Sequence, residues 1–172
     1  LGHWNLKAAT LGRLGDFEQA IGLYEDVLRR AGGQPRVWLS YGHMLKTIGR
    51  QPEAVTAYRK SIEIKPALGE AWFSLANLKT VKFSEMDILA MQKALASSGI
   101  DDEDRVHLDF ALGKAMHDVG RADEAFVHYS TGNALRLKSH PYRPGETSAI
   151  VDRCIDQFTP EAFAERIGGC EA

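Results

Sequence analysis

Apolar side chains recur at helical spacing along most of this chain. Between Arg36 and Pro66, Trp38, Tyr41, Gly42 and Leu45 stand at i, i+3, i+4 and i+7, a single stripe on a helix surface. After Gly49 a second stripe follows, made of Ala54, Ala57, Tyr58 and Ile62. Two stripes split by a glycine predict two antiparallel helices, with Gly49 ending the first in the left-handed conformation that glycine adopts at little cost. Gly42 and Ala54 are small where the two helices cross, and Pro66 stops the second helix. The unit recurs: Trp4, Trp38 and Trp72 are 34 residues apart, as are Gly15 and Gly49, Ala20 and Ala54, Tyr24 and Tyr58, and Leu28 and Ile62. A fixed period of this length predicts an all-α solenoid of helix-turn-helix units. Trp38 is expected in its core, where truncation to alanine costs about 3–5 kcal/mol.

Four units are legible, at about 1–34, 35–68, 69–101 and 106–139. In the first, Asp16 is placed to cap the second helix. The third starts with Glu70-Ala71-Trp72-Phe73 and then departs from the pattern, Lys82-Phe83-Ser84 replacing the glycine turn. Ser84 and Asp87 have capping-box spacing, which predicts a helix from about Glu85 and an altered angle between this unit's two helices. Asp101-Asp102-Glu103-Asp104 is an insertion whose acids favour the N-terminal dipole of the next helix. The fourth unit recovers Leu112, Gly113, Met116, Gly120, Ala125 and Tyr129, each 71 residues after its counterpart in the second. After Arg136 the pattern ends. A turn-rich linker, His140 to Gly145, leads to expected helices at Glu146–Phe158 and from Pro160 to about Ile167, with Thr159 as cap. Such a tail, 140–172, is expected to cap the last repeat.

Composition narrows the function classes. The formal net charge is −2, which argues against nucleic acid and anionic membrane as partners. Residues 1–68 carry ten Lys/Arg against six Asp/Glu, and 69–172 eleven against seventeen, so the two halves differ in sign. No apolar run is long enough to span a bilayer, and a cytoplasmic setting is expected, with Cys154 and Cys170 as free thiols. The chain opens on Leu1 with Trp4 already in a helix, as expected of a piece of a longer protein. No phosphate loop or metal-ligand spacing is present, and adjacent His128 and Tyr129 point apart on a helix, so neither catalysis, cofactor nor metal is expected.

Trp38, Tyr41, Gly42, Leu45, Gly49, Ala54, Tyr58, Ile62 and Pro66 resemble the signature of the tetratricopeptide repeat (TPR) family. The resemblance implies a superhelical scaffold that holds a protein or peptide in a concave groove. Carried over residue by residue, the groove positions are Asn5, Leu39, Phe73 and Phe110, then His43, Asn77 and Lys114, then Lys46, Thr80 and His117. The first row is mostly apolar, which disfavours the carboxylate-clamping subclass. Self-association through the open N-terminal repeat face is a further reading.

Glu124 to Arg136, and Phe158-Thr159-Pro160-Glu161-Ala162-Phe163, with Asp152-Arg153 between them, are similar to the junction in bacterial proteins where TPR repeats precede a sulfotransferase domain. This similarity covers about residues 106–169. It implies a non-catalytic scaffold beside a downstream catalytic domain, or the targeting half of an enzyme that transfers sulfate from a phosphosulfate donor.

Overall fold

The computed structural model describes residues 2–165, and all of their regular structure is α-helical. Eight helices follow as four pairs along the chain, α1 (Gly2–Leu14) and α2 (Phe17–Arg30), α3 (Pro35–Thr47) and α4 (Gln51–Ile64), α5 (Gly69–Asn77) and α6 (Glu85–Leu95), and α7 (Asp102–Asp118) and α8 (Ala122–Ser139); α1 packs on α2 and α3 on α4, whereas α5 and α6 both pack on α7. Two more, α9 (Pro144–Gln157) and α10 (Pro160–Glu165), follow the linker. The chain divides into two compact units between Arg136 and Leu137.

Within the first unit the helix seams are those the apolar stripes predict. Ala54, Ala57, Tyr58 and Ile62 are buried, and a Cβ on Gly42 would lie 2.5 Å from the Tyr58 ring. The pair recurs in α7 and α8, where a Cβ on Gly113 would lie 2.7 Å from Tyr129. Gly15, Gly49 and Gly120 follow first helices at φ +86°, +82° and +80°. Asp16 accepts the Gln19 N–H as N-cap of α2, and Ser84 and Asp87 close a reciprocal capping box on α6.

The third pair differs. Helix α5 has nine residues where α3 has 13, and Lys79 just beyond it takes the left-handed conformation at φ 60°, where a side chain is disfavoured. The support for α5 comes from α7. The buried Asp104 carboxylate accepts the Gly69 N–H at 2.8 Å, while the Asp104 N–H is itself capped by Asp101 at 2.7 Å. The acids at 101–104 do sit at a helix start, yet Asp104 also serves a second helix 35 residues away.

Trp72 is 1% exposed; its indole donates to the Pro66 carbonyl at 2.9 Å, and Phe83 packs on it. The Arg59 guanidinium lies 5.9 Å over both rings and pairs bidentately with Asp87. Trp38 makes the equivalent bond to Gly32 at 2.7 Å but is only half-buried, so it is not the sealed core residue that the repeat spacing predicts. Gly49 and Glu25 stand where Phe83 and Arg59 cover the later indole.

Burial pushes the Asp87 carboxyl up, but the hydrogen bonds from Arg59 and Ser84 outweigh it and hold the group below its ordinary value of 3.8. A folded value below the unfolded one adds stability that is complete above about pH 4 and fades as the pH falls through the folded value. The stability gap between wild type and Asp87→Asn is therefore expected to shrink on acidification below about pH 4, as measured by urea unfolding. A gap independent of pH would remove the carboxylate from the account.

In the second unit α9 begins with Pro144 at its first turn, two residues earlier than expected, and ends at Gln157. Thr159 caps α10 through the Ala162 N–H at 3.2 Å. By its own packing α9 buries no residue, and the Cys154 thiol is exposed. Cys170 and the expected end of the last helix at Ile167 lie outside the described residues.

Candidate interaction groove

The first helices of the hairpins present the residues that the repeat pattern assigns to a groove. The structure brings four of them together: Phe73 and Asn77 from α5, and Phe110 and Lys114 from α7, line one cavity of about 230 Å³ with Lys79 and Tyr129. The aromatic rings form a continuous floor, His107 to Phe73 at 5.1 Å, Phe73 to Phe110 at 6.1 Å and Phe110 to Tyr129 at 6.3 Å. Lys114 pairs with Asp118 one turn along α7. Apolar rings below and ammonium groups at the edge suit an apolar side chain with a polar or acidic neighbour.

His43 lies apart from these four, in a second cavity of about 320 Å³ with Gly12, Arg13, Ser40 and Met44. Its Nδ1 is 3.0 Å from the Tyr58 hydroxyl and its Nε2 is 3.6 Å from Glu70. The imidazole thus joins α4, α3 and α5 in one polar chain. Burial, and after it the Glu70 charge, push the Tyr58 phenol up to about 12. The imidazole holds the Glu70 carboxyl below the usual range despite burial.

Leu39 does not line an open surface. It is 4% exposed and belongs to the same buried cluster as Ile21, Leu45 and Ala54. Asn5 is half-buried with its Oδ1 shielded from solvent and unbonded among the described groups. Lys46, Thr80 and His117 are exposed. Lys79 and Tyr129 were outside the expected rows: Lys79 enters through its left-handed backbone, and Tyr129 reaches in from α8 because Gly113 leaves room for its ring.

His128 and Tyr129 do point apart. His128 Nδ1 lies 2.8 Å from the buried Asp109 carboxylate, while Tyr129 packs on Gly113 and Phe110. Among the described residues no hydroxyl or thiol is hydrogen-bonded to His128, so the pair ties α8 to α7 without a nucleophile to activate. No described helix is long and apolar enough to cross a membrane.

Residues 35–68 match the family model for the tetratricopeptide repeat. A comparison with curated protein sequences finds no match. Among solved structures, the chain is similar to the MamA RS-1 ArsTM double mutant at 20% identity and a TM-score of 0.56, covering 81% of this chain and 76% of that one. It is similar to BtubC (BKLC) from P. vanneervenii at 18% identity and a TM-score of 0.59, covering 83% of this chain and 65% of that one. MamA AMB-1 aligns over 98% of this chain and 93% of its own at 17% identity and a TM-score of 0.50. The fold is thus an all-helical solenoid of the tetratricopeptide type, with one repeat, 35–68, that the tetratricopeptide family itself describes.

Proposed function

We propose that this chain is a non-catalytic scaffold that holds a protein or peptide segment on the side formed by its first helices. One observation carries the reading: Phe73, Asn77, Phe110 and Lys114, assigned to a groove by repeat position, share one cavity with an aromatic floor. The partner segment places an apolar side chain over Phe73 and Phe110 and a polar or acidic neighbour beside Lys79 and Lys114. Because both phenylalanines are only half-buried, replacing them with serine removes surface more than core. Phe73→Ser with Phe110→Ser is expected to abolish capture of a bound peptide, selected from a random library on the wild type, while the helical circular dichroism is retained. Loss of the helical signal would make these rings structural and sink the reading.

The finer reading, an association with sulfate transfer, rests on the similarity of the segments at 124–136 and 158–163 to TPR-sulfotransferase junctions. On that reading the scaffold presents an acceptor to a catalytic domain. Calorimetric titration of phosphoadenosine phosphate is expected to show binding to a protein carrying both parts and none to this chain. Binding to this chain alone would overturn the division of labour.

A further inference from the structure

We propose that the groove over Trp38, on the side formed by the second helices, is a site that takes an arginine side chain from another protein. The cavity is about 550 Å³, lies between α2 and α4, and has Trp38 and Tyr41 of α3 in its lining. The two rings meet at 67° with centroids 6.1 Å apart. Leu28 and Ala57 supply apolar surface, and Glu25 and Glu53 supply carboxylates.

The chain itself displays the occupant that such a groove accepts. One repeat later, Arg59 lies over Trp72 and Phe83 and pairs bidentately with Asp87. Moving back 34 residues, Trp72 becomes Trp38, Asp87 becomes Glu53, and Arg59 becomes Glu25. The fourth member, Phe83, becomes Gly49, so the ring that closes the later site is absent and the earlier one is open. Where one junction carries its own guanidinium, the other carries a second carboxylate. Trp4 also has a guanidinium over it, that of Arg30 at 5.5 Å. Among the described residues, no cation is seen over Trp38.

Nearby cations do not fill the place. Arg29 is part of the groove's lining, but it is 71% exposed, pairs with Asp26 on its own helix at 2.8 Å and does not stack on Trp38. Arg50 is near enough to act on Glu25 electrostatically but is held by both oxygens of Glu53 in the first turn of α4. Glu25 receives the Tyr41 hydroxyl at 2.9 Å, and its carboxylate makes no ion pair among the described residues. A planar guanidinium can stack on the indole, bond Glu25 in plane and lay its aliphatic stem on Leu28 and Ala57; a lysine ammonium can do only part of this.

The test uses the whole chain and two capped pentapeptides, one with a central arginine between leucines and one with the neutral isostere citrulline in its place. Binding is followed through the Trp38 indole N–H signal. Saturable movement with the arginine peptide, about tenfold weaker binding with citrulline, and loss of both in Glu25→Arg are expected. Glu25→Arg rebuilds the Arg59 arrangement over Trp38, so it should also raise the melting temperature by about 4 °C. Equal binding of the citrulline peptide, an unmoved Trp38 signal, or undiminished binding by Glu25→Arg each overturns the proposal. So does a wild-type mass that doubles with concentration and reverts in Glu25→Arg, since the occupant is then a second copy of this chain. Loss of binding in the Phe73/Phe110 variant but not in Glu25→Arg also overturns it, leaving the groove over Phe73 and Phe110 intact as a separate reading.

Discussion

Gly69→Ala is expected to be the most damaging small substitution in this protein, costing about 3–5 kcal/mol. A Cβ at that position would overlap the Asp104 carbonyl oxygen and sit 2.8 Å from the carbonyl carbon. Both obstacles are main chain, so no rotamer change relieves them; α5 must move off α7. The movement also breaks the Gly69 N–H bond to the buried Asp104 carboxylate, leaving a charge that has only the 3.5 Å contact from Lys65. An unpaired buried carboxylate is among the costly defects in a folded chain. Chemical denaturation of Gly69→Ala checks this, and Gly22→Ala is the control, because nothing lies within 4 Å of a Cβ built there. Similar losses in the two variants would show that the close approach contributes nothing.

Trp72→Ala is the second large effect, about 4–5 kcal/mol, and Trp38→Ala should cost about 1–2 kcal/mol less. Both indoles donate to a carbonyl six residues upstream, so that bond cancels in the comparison. The difference lies in cover. Trp72 is enclosed, and its removal strips a wall from Phe83 and the aromatic face from under Arg59, whereas Trp38 already has one side on an open groove. Equal losses by urea unfolding would return Trp38 to the core.

The sequence makes the hairpins legible because their determinants are local or strictly periodic. Gly42 and Gly113 are read correctly as close crossings, since the same spacing brings Tyr58 and Tyr129 onto them. The Ser84 and Asp87 box lies within one helical turn and needs nothing from elsewhere. Gly32 can stand where Pro66 stands one repeat later because the indole uses the carbonyl, which every residue has. What escapes is of two kinds. Asp104 is one of four consecutive acids that a helix start already explains, and no periodicity points from it to Gly69. The open groove at Trp38 escapes for the opposite reason: the period makes Trp38 and Trp72 alike, and attention to the shared positions hides the exchange at 25 and 59. Exposed positions compared at the same offset would have found it. Of the groove positions, Phe73, Asn77, Phe110 and Lys114 share one cavity. Leu39 is buried instead, and a row of equivalent positions does not say which member is covered by its neighbours.

The bond from Gly69 to Asp104 also changes how the molecule can come apart. In a simple repeat array each hairpin leans only on the next, and the ends fray one unit at a time. Here α1 and α2, then α3 and α4, can peel away in that manner, because each pair carries its own glycine turn and its own seam. The short α5 depends on α7 for its first N–H and for most of its packing, and α6 also rests on α7. Everything from Gly69 through α7 therefore opens and closes as one cooperative block, with Asp104 as its clasp. The aromatic floor from Phe73 to Phe110 lies inside that block, so it is assembled whole or lost whole.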